Sequence, residues 1–398
     1  MVHRILLFVL LIPAASCAAG DTAPTMEVAV TATEYGHHYT PVSVDFEPSP
    51  EMMSPICVRG EASETPGQFE ALSDARARVW WIADLPAEST SRFAVEFGRD
   101  CSAGAFSWRP IGESATDLLY LDRPVLQYVH PVYDPEDVDG TRRPFHHVYN
   151  PSGRRHITKG AGGLYSHHRG IFFGYNQVFV ADSDERVDIW HSNDGERQQH
   201  AEIVAVHEGP VFGGHSVRIP WIDPQGEPFA EEIREVRAFL QPAGSILIDF
   251  RSSLRSLAGP VRLDGDRQHA GVQFRAAQEV AENEEATRFL RPEGWAHLPV
   301  DQEFNDDLHI DLPWNVMLFS LNRQSYAVAY LSHPSNPGGA EMSERRYGRF
   351  GEFFPYDLDR NRPLEVRYRF WILENSEPSR KEVEKLFQNF SQPPAVSR

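Results

Sequence analysis

Apolar and polar residues alternate with a period of two along most of this chain. Val28, Val30 and Ala32 alternate with Glu27, Ala29 and Thr31, and the same rhythm returns over 41–46. Residues 78–85 (RVWWIADL) read as a buried strand and 91–97 as another, with Pro, Gly and Ser clusters marking the turns between them. This spacing predicts a small β-sandwich over 26–115. Strands continue over 116–398 without a helical period. Stretches 232–240 and 245–254 flank Pro242-Ala243-Gly244 as a hairpin, and Leu364, Val366, Tyr368, Phe370 and Ile372 alternate with Glu365, Arg367, Arg369 and Trp371. The one convincing helix comes last. Ser379 and Glu382 have capping-box spacing after Pro378, and Val383, Leu386, Phe387 and Phe390 recur on one helical face. The expected fold is all-β: a small N-terminal β-sandwich, then a large antiparallel β-sandwich with a C-terminal helix.

Composition narrows the partners. A formal net charge of −19 argues against nucleic acid or an anionic membrane surface. His3 and Arg4 precede an apolar run over 5–12 and then small residues, so 1–19 read as a signal peptide. Cys17 leaves two readings open, a lipid-anchored first residue or a freely secreted chain. Both place the protein outside the cytoplasm (periplasmic, outer-membrane-anchored or secreted), with membrane contact only through that lipid. Disulfides are permitted there, and Cys57 and Cys101 read either as a bonded pair or as two buried thiols.

One stretch departs from the acidic background. Residues 141–170 hold five His, five Arg and one Lys but no acid, in a chain with 57 acids. Such an island suits oxygen-rich or anionic groups, although Arg142, Arg143, Arg154 and Arg155 flank turns and read equally as solvated surface. Within it His167-His168-Arg169-Gly170 leads into the apolar run Ile171-Phe172-Phe173-Gly174. If both His belong to that strand they point to opposite faces, unless the chain bends after Gly162-Gly163. Asp188 and Trp190, two residues apart, suit a sugar site: an acid accepts from hydroxyls and an indole stacks on the ring. A core Trp is the alternative. Asp266 and His269, ahead of the strand containing Gln273, are candidates for general acid/base work. His333 and Asn336 lie in a stiff His-Pro-Ser-Asn-Pro loop, and Arg346 could grip a carboxylate. No HExxH, CxxC, nucleophile elbow or dinucleotide fingerprint is present, and a metal and its ligands remain open.

The blocks HPVYDP, YNPSG, SHHRGIFFG, VDIW, HAGVQFR, HPSNP, RYGRFGEFFP and RYRFWI follow one another from Gln127 to Ile372. Their order resembles a bacterial family labelled "methane oxygenase PmoA", also treated as a domain of unknown function, over about two thirds of the chain. The resemblance implies a secreted or lipoprotein-like β-sandwich found among polysaccharide-degrading functions, with the sugar mutarotase supersandwich as a structural analogue. A membrane methane monooxygenase subunit is built from transmembrane helices, and no run after Ala19 is long and apolar enough to form one.

The functional expectation is a carbohydrate-active enzyme (lyase, hydrolase or epimerase) acting on an oxidised or acidic sugar. His167, His168, His269 and Asp266 are the catalytic candidates. Arg169, Asp188, Trp190, Gln273, His333, Asn336 and Arg346 are the candidates for binding a small-molecule or glycan substrate. Non-catalytic glycan binding and a metal-dependent oxygenase are the alternatives, and no cofactor is specified.

Overall fold

A computed structural model describes residues 24–300 and 309–398, apart from positions 62 and 182. The proposed leader and Cys17 lie outside these residues. The described chain is an all-β protein of antiparallel sheets with one substantial helix, as the alternation predicts.

Six strands between Thr25 and Phe97, with Ala395–Ser397 at the edge, form a seven-stranded sheet around the side chains of Val30, Val44, Val79, Trp81, Val95 and Phe97. Cys57 and Cys101 are disulfide-bonded beside it. The run at 78–85 lies in the strand Arg76–Leu85, and its two faces have different partners. Trp81 enters this core, whereas Trp80 and Ile82 pack outward against Phe212 and Phe239 of the larger unit. Polar contacts reinforce that junction. Glu70 accepts from Arg237 and from the Trp80 indole N–H, and the Gln68 side-chain oxygen accepts from the amides of Val211 and Phe212.

The larger unit stacks an eight-stranded sheet on a nine-stranded one. The hairpin of Phe106–Ile111 and Ala115–Tyr120 forms one edge of the eight-stranded sheet. Phe173, Tyr175, Trp221, Phe250, Phe274 and Phe370 belong to a single core between the sheets. Each fully buried aromatic contributes about 1.5–3 kcal/mol through removal from water. The predicted hairpin closes through the turn Pro242–Gly244. The helix Arg380–Ser391 carries the full Ser379–Glu382 capping box, and Val383 and Phe387 pack on Trp314, Leu331 and Leu373.

One ladder of the eight-stranded sheet matters most. Ile171–Tyr175, buried throughout, pairs with Ala270–Arg275 so that Gly174 lies opposite Gly271. Gly271 has φ +79°, and a Cβ there would collide with the Glu352 carbonyl oxygen. Gly170, at φ +39°, turns the chain against the neighbouring strand Phe145–Val148, where a Cβ would strike the His146 carbonyl.

Candidate metal centre

His167 and His168 precede the strand, in a turn segment over 161–170, and do not alternate across the sheet. Their rings lie 4.3 Å apart and both reach His269, at 5.3 and 5.5 Å. Neither His belongs to the strand, and the bend permitted after Gly162-Gly163 is present, so the turn frees side-chain direction from the strand's alternation. Ile171 and Ala270 stand at opposite ends of their ladder, yet His168 and His269 stack, so the segment folds back over the sheet. The fully buried Trp190 forms the floor, 5.6 Å from His168, 6.1 Å from His269 and 4.5 Å from Phe172.

A further histidine completes the group. His191 lies 4.6 Å from His167 and 4.7 Å from His269, ring to ring. One ring nitrogen from each of His167, His191 and His269 falls within 4.8 Å of the others. Two of the three are oriented in the same way. His191 donates Nδ1–H to Asp188 at 2.9 Å, and His269 donates Nδ1–H to Asp266 at 2.8 Å. In both cases the acid stands three residues before the His and also accepts backbone amides of its own turn, from Trp190 and His191 in one and Gln268 in the other. A carboxylate can only accept, so each Nδ1 carries a proton, and in the neutral imidazole Nε2 is the nitrogen with the free lone pair. The His167 Nε2 is buried and has no hydrogen-bond partner.

Electrostatics keep His167 and His168 neutral. Burial, then the fields of His191, His269, Arg143 and Arg142, hold His167 down to about 2, so its ring is neutral at physiological pH. Burial first, then Arg349, holds His168 well below the ordinary imidazole value. Burial alone would raise Asp266, but the hydrogen bond and charge of His269 outweigh it and bring the carboxyl down to about 2. Nitrogens around a tetrahedral ion with bonds of about 2.1 Å sit roughly 3.4 Å apart, inside the 4.8 Å that bounds this triad.

A family described as "Family of unknown function (DUF6807)" matches residues 115–388. The chain belongs to this family. Its description carries no methane oxygenase label. Comparison with curated proteins gives no match. The matched stretch contains the whole histidine cluster and both carboxylates.

Several sequence-selected residues hold the scaffold and do not face a ligand. Trp190 is a core residue, because the 188–191 turn directs its indole inward and His191 outward. Asp188 is committed to His191 and to backbone amides, and does not present itself to sugar hydroxyls. Arg169 is fully buried and donates to the carbonyls of Asp139 and Ser166. Gln273 is also fully buried, donating to Ala270 and accepting from Arg349. Arg142 and Arg143 are buried too, not solvated, and donate to the carbonyls of His191 and Trp190. Lys159 reaches the carbonyls of Gly160, Tyr165 and His168. The basic island is largely an internal brace for the loops that carry the cluster.

His333 and Asn336 stand elsewhere, at the end of the strand Gln324–Ser332 in the nine-stranded sheet. The His333 ring meets Phe390, and Asn336 bonds the backbone of Arg367. Arg346 is exposed next to Tyr347, whose ring lies 4.8 Å from that of Tyr165 and 6.2 Å from His168. His191, Tyr165 and Tyr347 were missed from the sequence. A usable signal for His191 was present: Asp188-Ile189-Trp190-His191 repeats the Asp-x-x-His spacing of Asp266-Arg267-Gln268-His269.

Proposed function

We propose that this protein is a metal-dependent enzyme whose His167, His191 and His269 hold one divalent transition-metal ion, and which acts outside the cytoplasm on a carboxylated or otherwise oxidised sugar. The observation that carries this reading is the pair of Asp-x-x-His turns aiming two oriented imidazoles at a third, the arrangement by which carboxylates fix metal-binding histidines. Three imidazoles suit zinc, copper, iron or nickel. When bound at such a site the ion supplies Lewis acidity and an activated water.

The chain's own groups do the remaining work. Asp188 and Asp266 orient the ligands, and their two negative charges balance the ion. Trp190 and Phe172 give the cluster a dry floor. Tyr165, 46% exposed, takes the stacking role expected of Trp190. Arg346, exposed beside Tyr347, suits a substrate carboxylate. Lyase, hydrolase and epimerase chemistry all fit a centre that polarises an oxygen next to an acidic C–H or a glycosidic bond. The leader-like segment at 1–19 and the Cys57–Cys101 bond support an extracytoplasmic setting, with Cys17 as the point of any lipid anchor.

Elemental analysis of the purified full chain tests the metal. We expect close to one transition-metal ion per chain, lost in His191→Ala and His269→Ala. A wild-type chain that retains none after incubation with zinc, iron and copper salts and desalting would overturn the reading. Turnover of a panel of uronates and keto-sugars tests the substrate class. The same triad admits the oxygenase reading, which copper or iron content with substrate-dependent dioxygen consumption would favour.

A further inference from the structure

A second charged site lies where the small sandwich, the C-terminal helix and the nine-stranded sheet meet. A cavity of about 390 Å³ there is lined by Arg78, Arg251, Arg367, Arg369 and His333, with Asp249 as the one acidic wall residue among the described residues. In the sheet register Arg251 stands directly opposite Arg367, and Asp249 opposite Arg369. Like charges at directly opposed positions destabilise a sheet, so this pair needs a reason.

Asp249, Glu235 and Asp45 do not supply one, because all three are already committed. Asp249 takes both prongs of Arg369 at 2.6 and 2.8 Å. Glu235, on the other side of Arg251, accepts from Arg237 at 2.7 Å. Asp45 takes Arg76 and Arg78. Among the described residues Arg251 and Arg367 have no ion-pair partner. The Asn336 side chain clamps the Arg367 backbone, donating to its carbonyl at 2.9 Å and accepting from its amide at 2.8 Å. His333 Nδ1 accepts the Ser335 amide at 3.1 Å, which leaves its proton on Nε2 as a donor. The wall thus combines two unpaired guanidinium groups, one imidazole N–H and enough room for a small molecule.

We propose that this cavity binds a compact oxyanion, the shared chemistry of a sugar carboxylate and a phosphate, through Arg251 and Arg367, with His333 as a third donor. The two arginines repel each other when the cavity holds no anion, and a bound anion turns that repulsion into a two-sided clamp. His333 is then a ligand-site residue, and Asn336 a positioning residue, of this site and not of the histidine cluster.

Calorimetric titration of the full chain with inorganic phosphate and, separately, with galacturonate tests the proposal, each against sodium chloride at matched ionic strength. We expect saturable binding of at least one probe, and which probe binds identifies the source of the oxyanion. Arg251→Gln and Arg367→Gln should each weaken it about tenfold or more. Without any anion both variants should melt at or above the wild-type temperature, by about 1–2 °C, because a like-charge pair is relieved. Arg92→Gln, on the exposed face of the small sandwich, should change neither reading. Absence of saturable binding beyond chloride, or undiminished binding in both variants, overturns the site. A lower melting temperature in both variants would mark the arginines as structural and overturn it equally.

Discussion

Asp188 and Asp266 stand in the same relation to their histidines: each accepts an Nδ1–H three residues further along, within 2.9 Å, from the turn that it also caps. Two unconnected loops thus hold imidazoles beside His167 through the same Asp-x-x-His contact. Removing the charge while keeping a hydrogen-bond acceptor isolates this effect. Asp266→Asn should weaken zinc binding by about 10–100-fold with little loss of fold stability. Competition with a chromogenic chelator measures it, and equal affinity in variant and wild type would rule out the orienting role.

Trp190 and Tyr165 should separate cleanly. Trp190→Ala opens a cavity under the cluster and should cost about 3–5 kcal/mol in urea unfolding. Tyr165→Ala removes an exposed ring and should leave the urea midpoint nearly unchanged while raising KM for the substrate. A Trp190→Ala protein as stable as wild type would contradict its place in the core.

Glu352 gives a pH signature. It is fully buried, and burial lifts its carboxyl from the ordinary 4.5 to about 8. The folded chain holds that proton while the unfolded chain releases it. The contribution to stability is complete below about pH 4.5 and is lost as the pH climbs through about 8, on the order of 5 kcal/mol in all. Glu352→Gln should therefore raise the urea midpoint relative to wild type at pH 8.5 more than at pH 5. A difference that does not grow with pH would exclude a neutral carboxyl.

The junction between the sandwiches rests on a buried ion pair. Burial opposes ionisation of Glu70, but Arg237 outweighs it and keeps the carboxyl below its ordinary value. Its stabilising effect is present above the ordinary carboxylate pKa and disappears as the pH falls through the lower folded value. Glu70→Ala leaves Arg237 with Glu235 alone and the Trp80 indole N–H without its acceptor, and should cost about 1–3 kcal/mol, read as a lower melting temperature at pH 7. The penalty should shrink under acid conditions.

The Cys57–Cys101 bond closes a loop of 44 positions, worth about 4 kcal/mol in restricted unfolded-chain entropy. Reduction, or the paired change to Ser, should lower the unfolding temperature of the small sandwich without altering metal content. Unchanged unfolding after verified reduction would argue against it.

Strands and helix were legible because burial on one face imposes a period, and the Ser379–Glu382 box marks a helix start by its own hydrogen bonds. Side-chain direction within turns was not legible. Over 188–191, hydrogen bonds to Asp188, not alternation, decide that Trp190 goes in and His191 out. The basic island was visible as composition, but nothing in a string of letters says that Arg142, Arg143 and Arg169 turn inward to backbone carbonyls, and two of them also to the Asp139 carboxylate. That becomes apparent only when the loops fold over the sheet. His333 looked like a partner of His167 because both sit in conspicuous blocks, whereas the strand order sends them to different sheets.

The opposed glycines beneath the cluster are not equivalent. Gly271 is locked by its backbone against the Glu352 carbonyl. At Gly174 a methyl group would find Phe172, Trp190 and Ile189 at 3.5–3.8 Å, ordinary contact distances. An alanine could therefore be accommodated at Gly174 and would act as a shim under the indole, nudging the histidine platform without touching any ligand. Position 174 is thus a tuning screw for the depth of the centre, and position 271 a rivet.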